Sequence, residues 1–373
     1  MVVMSSPSSS RVLRIPPSGR ALVVSDLHGN WADWQAFLRQ SRAYERLEAG
    51  EDLWVILTGD VPDVVRHRTI DARVPSDGDV KILDDLLAAK ARLGERGERI
   101  VYAEGNHDFH VARVSLEAAH SEALRQGLDP PAAETFPVVG PETYQRFVER
   151  YRESFGDAVL ANNILPYDMV PRARTEHLRL ITTGPVVVVL EGPRVAIVHA
   201  GPVSGVGDYD PTSLRNAIQT AHPSQLRNVS PEDYFAAPYH QVLNSRFRHR
   251  DYSLADVAEF AALFDCEALV SGHTPHPYLL DLEQNKALPD CTFTRGVGLI
   301  GERQLVLCTS FGAFHPELKR YLELDLTKAY PDARALAADP DAIRPLYSPE
   351  EARKLEDVCR PLPGASLASS LSP

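Results

Sequence analysis

The chain holds little cysteine. Its 373 residues include only Cys266, Cys291, Cys308 and Cys359, none in a Cys-x-x-Cys pair. That spacing argues against a zinc knuckle and against a disulfide framework, so buried free thiols in a reducing compartment are expected. A membrane-length apolar run is missing, since the longest candidate, Pro185 to Leu190, is strand-sized. The Ser- and Pro-rich stretch from Met1 to Arg20 has no apolar centre of a secretory signal. A cytoplasmic protein without a membrane partner is the expectation. Positive charge is also short. The formal net charge of −12 disfavours general nucleic-acid binding, although bound metal ions could make one pocket locally positive.

What is present suits a globular protein with a sizeable core: 44% hydrophobic and 24% charged residues. Residues 1–19 read as a flexible tail, because Ser5 to Ser10 cannot bury enough apolar surface to order itself. A central unit is expected over 20–326. The Pro-, Ala- and Asp-rich extension 327–373 is expected to wrap it as short helices and loops, with Pro361 to Pro373 disordered. Within the unit, strand-like runs at Ala21–Ser25, Leu53–Leu57 and Ile100–Ala103 alternate with helical patterns. Trp31, Trp34, Phe37 and Leu38 mark one helix, and Ile82, Leu83, Leu86 and Leu87 another. That order implies a locally parallel sheet covered by helices. Val186–Leu190 and Val195–Val198 flank Glu191-Gly192-Pro193-Arg194 and read as a hairpin, so the sheet system is mixed α/β. Further strands are expected at Ala268–Ser271, Leu305–Thr309 and Tyr321–Leu326, and a helix at Leu254–Phe264. Residues 110–179, helical in pattern and broken by Pro130, Pro131 and Pro137, read as a helical cap inserted beside the site.

Five short motifs follow strand-like runs: Ser25-Asp26-Leu27-His28-Gly29-Asn30, Gly59-Asp60-Val61-Pro62-Asp63, Gly105-Asn106-His107-Asp108, His199-Ala200-Gly201 and Ser271-Gly272-His273-Thr274. Strands aim the loops at their carboxyl ends toward a common edge, so these distant segments can converge. They supply ligands for two adjacent ions. Asp26, His28 and Asp60 would hold one. Asp60, able to bridge, would hold the other with Asn106, His199 and His273. Mixed carboxylate and imidazole donors suit Mn, Fe, Zn, Co or Ni better than Ca or Mg, with Mn the first choice. Asn30 reads as the cap of the helix from Trp31, and Asp108 as the cap of a helix from Phe109.

In this order the motifs resemble the signature of the calcineurin-like metallophosphoesterase superfamily, nearest to its Ser/Thr phosphoprotein phosphatase and diadenosine-tetraphosphatase branch. The resemblance covers about residues 20–325. It implies a four-layer αββα sandwich, a β-sandwich flanked by helices. It also implies hydrolysis of phosphate esters by attack of a metal-bridging hydroxide. His107 resembles the histidine that protonates the leaving group, and Asp63 the carboxylate that holds that imidazole. Arg246, in Leu243-Asn244-Ser245-Arg246, resembles a phosphate-binding arginine of a Leu-Trp-Ser-Arg segment. Arg66 and Arg68 are rivals for that role, and Asn106 is counted with Arg246 and Arg66 for the substrate phosphate.

The sequence departs from that branch at several points. Asn244 replaces the tryptophan, Asp63 is followed by Val64-Val65 instead of Arg-Gly, and Asp108 stands where Glu is usual. Pro275 occupies the position of a second histidine ligand, with His276 one residue late. The substrate is therefore expected to be a phosphate monoester, on phosphoprotein or a small molecule. A phosphodiester or dinucleoside polyphosphate is the alternative. A non-catalytic scaffold is a further alternative, but it would be expected to have lost ligands, and none of the six proposed ligands or His107 is lost.

Overall fold

The computed structural model describes residues 10–132, 137–222, 225, 229–281, 286–313 and 315–356. The expected disorder of Pro361 to Pro373, and Cys359, lie outside the described residues. The strands are β1 (Val12–Ile15), β2 (Arg20–Val24), β3 (Leu53–Leu57), β4 (Ile100–Tyr102), β5 (Val187–Leu190), β6 (Val195–Val198) and β7 (Ala268–Ser271). Then come β8 (Leu280–Asp281), β9 (Lys286–Ala287), β10 (Cys291–Thr294), β11 (Val297–Ile300), β12 (Gln304–Val306), β13 (Arg320–Asp325) and β14 (Ile343–Pro345).

They form a seven-stranded sheet, β1-β5-β6-β7-β12-β11-β10, a five-stranded sheet, β14-β13-β2-β3-β4, and the small pair β8-β9. Runs such as VVVL in β5 and VAIV in β6 are buried at every position. The reason is that both faces of each large sheet are covered. One face of each packs against the other sheet, through Ala21, Val23, Ile56, Val188, Ile197, Val270 and Leu305. Leu22, Val24, Val55, Leu57 and Tyr102 face the opposite way. They pack on helices Trp31–Ser41, Gly78–Leu93 and Asn106–Arg125 through Trp34, Phe37, Ile82, Leu86 and Val111. On the seven-stranded sheet, Val187, Val189, Ala196 and Val198 pack on helices Pro211–Gln219, Pro238–Asn244 and Leu254–Leu263 through Leu214, Val242 and Phe260. The result is the αββα sandwich.

Register positions the site. β2, β3 and β4 run parallel, pairing Val24 with Leu57 and Leu57 with Tyr102. Their carboxyl ends are therefore level, and Asp26, Asp60 and Asn106 leave the same edge. In the other sheet β6 and β7 are parallel, with Ile197 opposite Val270, which sends His199 and His273 to one edge as well.

Three segments differ from expectation. The flexible tail does not reach residue 19, because β1 adds to the seven-stranded sheet beside β5 with Ile15 fully buried. Its anchor is Arg11, whose buried guanidinium bonds Glu104 and the Thr182 carbonyl. The extension after Leu326 contributes β14 to the five-stranded sheet, pairing Ile343 with Leu322. Tyr347 and Lys319 both donate to the buried Asp33 carboxylate in the helix after the first motif. The strand expected at Leu305–Thr309 ends at Val306. Residues 110–179 are mostly helical, in Asn106–Arg125, Pro141–Asn163 and the start of Thr175–Thr182. Among the described residues no helix is long and apolar enough to cross a membrane. Cys266, Cys291 and Cys308 are free and buried.

Candidate metal centre and active site

The loops at the two sheet edges interlock through their backbones. His28 N–H donates to the Asp60 carbonyl at 2.9 Å, and Gly272 N–H to the His199 carbonyl at 2.8 Å. Asp26 Oδ1 accepts from His273 N–H at 2.8 Å, and Asp60 Oδ1 from His107 N–H at 2.9 Å. The glycines permit this closeness. A Cβ on Gly105 would come within 2.3 Å of Asp60 Oδ1, and one on Gly272 within 2.2 Å of Asp26 Oδ2. Asp26, His28, Asp60, Asp63 and His273 all carry positive φ. Each such backbone costs about 1–3 kcal/mol and persists where the surroundings over-determine it, which happens preferentially at functional sites.

Two groups of donor atoms result, each within 4.8 Å: His28, Asp60 and His107, and Asp60, His199 and His273. Asp60 Oδ2 is 3.6 Å from His28 Nε2, 3.9 Å from His107 Nε2 and 3.2 Å from His199 Nε2. Asn106 Oδ1 lies 2.9 Å from His199 Nε2 and 3.0 Å from His273 Nδ1. The remaining ring nitrogens of these two histidines face the Thr58 carbonyl at 2.8 Å and the Asn244 carbonyl at 3.1 Å. Such outer contacts fix the ring planes.

The electrostatics are those of charges buried without a counter-ion. Burial pushes the Asp26 carboxyl up to about 7 and the His28 imidazole down to about 3. Burial also presses His107 and His273 well below the ordinary histidine range. At His199 burial is outweighed by Asp60 and Asp26, and the ring is raised to about 9. Asp60 shows the counterpart: burial works to raise it, but His199, His107 and His28 hold it well below the usual range. Asp26 Oδ2 and His28 Nδ1 are buried and have no hydrogen-bond partner. Unpartnered carboxylate and imidazole atoms, converging without a thiolate, fit divalent transition ions.

Asp26 is in neither donor group, and His107 stands with His28 and Asp60 in the first. Asp26 Oδ1 accepts from the His273 N–H, while its Oδ2 is buried and unpartnered. His107 Nδ1 faces Asp63 Oδ2 at 3.3 Å. Burial raises the Asp63 carboxyl to about 6 despite Arg66, whose Nε sits 3.4 Å from Asp63 Oδ2 and whose N–H donates to Oδ1.

Arg246 is half-buried, lies over the Tyr278 ring and has an unpartnered Nε. Burial lowers its pKa, and its charge is felt at His273. Arg68 is exposed. His276 does not reach the centre. Its ring packs against Phe293, with centroids 5.6 Å apart, and Nε2 is unpartnered. Asn30 caps its helix as expected, accepting from Asp33 N–H.

Asp108 has a different place from the expected cap. The helix starts at Asn106, and Asp108 is its third residue. Its Oδ2 accepts from Gly105 N–H at 2.8 Å and Asp60 N–H at 3.0 Å, and Oδ1 accepts from Tyr102 Oη at 2.7 Å. Asp108 thereby ties the second motif to the third. The signal available in sequence was an acid three residues after a helix-starting glycine.

A family model described as calcineurin-like phosphoesterase matches residues 19–277. Among solved structures, a protein serine/threonine phosphatase from Saccharomyces cerevisiae is similar at 9% identity and a TM-score of 0.46, covering 90% of this chain and 82% of that one. A cold-active protein-tyrosine phosphatase from a psychrophilic Shewanella is similar at 13% identity and a TM-score of 0.43, covering 86% and 80%. No curated protein matches in sequence.

Proposed function

The chain belongs to the calcineurin-like phosphoesterase family and is a metal-dependent phosphoesterase, and from that premise we propose that it hydrolyses phosphate monoesters at a centre of two divalent ions sharing Asp60. The observation that carries this reading is the shared carboxylate. Asp60 Oδ2 stands 3.2 Å from His199 on one side and 3.6 Å from His28 on the other. Asp26, His28 and Asp60 would hold one ion, and Asp60, Asn106, His199 and His273 the other, with Mn favoured and Fe, Zn, Co or Ni suitable. Ions bound there would supply Lewis acidity toward phosphoryl oxygens and toward water.

The chain's own residues supply the rest. The Asp63 carboxylate beside His107 Nδ1 would orient that ring, whose Nε2–H is the proton given to the leaving oxygen. Arg246 offers an uncommitted guanidinium edge, and Arg66, steered by Asp63, a second cation; a dianionic monoester needs both. Residues 20–326, with β1 and β14 completing the two sheets, form the catalytic domain in this reading, with the helices of 110–179 as its cap. Tyr167 in that segment touches the His107 ring at 5.8 Å between centroids.

The experiment is a panel of mono- and bis-aryl phosphates after reconstitution with Mn, Fe, Zn or Mg. Monoester turnover at least about tenfold faster is expected, because the dianionic monoester has more phosphoryl charge for the two arginines to hold. Equal or faster diester turnover would replace the monoester reading.

A further inference from the structure

A cavity of about 810 Å³ opens beside the centre, lined among others by His110, Arg113, Tyr234, Phe235, His240 and Asn244. That volume is in the range of ligand pockets. It adjoins the proposed acid. His110 lies one turn beyond His107 on the helix Asn106–Arg125, and both rings pack on Tyr167, with centroids 5.3 and 5.8 Å away. On its other side, the Asn244 carbonyl contacts His273 Nε2 at 3.1 Å.

The wall offers ring faces. Tyr234 packs on His240 at 4.4 Å between centroids, Phe235 on His240 at 5.3 Å, and Tyr234 on Phe235 at 5.3 Å. Phe235 is 63% exposed, a large apolar side chain left open at the rim. Burial pushes the His110 and His240 imidazoles down to about 3 and about 4, so both are neutral rings.

Several polar groups of the wall are engaged within the protein. Gln241 Nε2 donates to the Phe235 and Ala236 carbonyls, and its Oε1 accepts from Ser204 N–H. Asn244 Nδ2 donates to the His240 carbonyl, and Asn163 Nδ2 to the Val159 carbonyl. Arg113 pairs with Glu117 at 2.7 Å and reaches the Asn163 carbonyl. Asp251 Oδ2 accepts from Arg246 N–H. The rings of Tyr234, Phe235 and His240 give this pocket a surface on which a planar ring can stack.

We infer that this cavity is the leaving-group subsite and that it selects an aryl phosphate, whose ring stacks among Tyr234, Phe235 and His240 while the ester oxygen faces His107. The inference rests on the monoester reading above.

Two measurements test it with separable outcomes. The first is the ratio of kcat/KM for phenyl phosphate to that for glycerol 2-phosphate, in wild type, Phe235→Ala and Tyr234→Leu. Phe235 is exposed, so its replacement does not threaten folding. The ratio should fall about tenfold, through KM, as expected for loss of ring stacking, and Phe235→Trp should restore it. An unchanged ratio in an active enzyme overturns the subsite and leaves the monoester reading standing. The second is calorimetric binding of phenylphosphonate against methylphosphonate, which needs no turnover. Preference for the phenyl compound, lost in Phe235→Ala, supports the pocket even if hydrolysis fails. Equal affinity for the two counts against it.

Discussion

On one side of Asp60, His199 stands 3.2 Å from the shared Oδ2 and 2.9 Å from Asn106, and His273 stands 3.0 Å from Asn106. On the other side, His28 and His107 stand 3.6 and 3.9 Å from the same oxygen, and His28 Nδ1 and Asp26 Oδ2 lack partners. The first half is nearly satisfied as it is, with outer contacts from the Thr58 and Asn244 carbonyls fixing both rings. The second half leaves buried donors and acceptors unmet, each costing about 1–3 kcal/mol. Under the proposed two-ion reading, the first half would be the preorganised one and hold its ion more tightly, and the second, open half, beside the proposed acid, would be completed by its ion.

The sharpest way to break this comparison is to remove His107, which sits in the donor group of the open half without being a proposed ligand. For His107→Ala we expect turnover to fall by about 10²–10⁴ with both ions retained. Metal analysis beside kinetics checks this; loss of one ion would make His107 a ligand in place of Asp26. Next in size is the asymmetry itself. A chelator titration should remove ions in two steps. His28→Ala should keep one ion, whereas His273→Ala should weaken the tighter step by at least about 10–100-fold, the range that outer contacts alone command. Equal weakening in both variants would erase the distinction.

The smallest effect concerns the strut between the motifs. Asp108→Ala strands the N–H groups of Asp60 and Gly105 and the Tyr102 hydroxyl, which should lower stability in urea by about 3 kcal/mol. Asp108→Asn keeps an acceptor for the two N–H groups and should lose less than half of that.

Much of this was legible in the sequence because β-branched runs mark buried strands, and glycine with Asp, Asn or His marks their ends. β3 falls at Leu53–Leu57 as read, and β7 at Ala268–Ser271. β1 was hidden because VLRI is short and flanked by Ser and Pro, and its pairing with β5 spans more than 170 residues. The place of His107 beside His28 and Asp60 was hidden too, since it depends on how the second and third motifs pack together, with His107 N–H donating to Asp60 Oδ1. The aromatic cavity draws on 110–113 and on 229–251, segments that no local pattern joins.

The central claim is that one carboxylate serves both halves. The most direct measurement is metal content per chain, after reconstitution and desalting, for Asp60→Ala beside wild type. Two ions in wild type and fewer than one in the variant are expected; two ions retained in Asp60→Ala would contradict a shared Asp60.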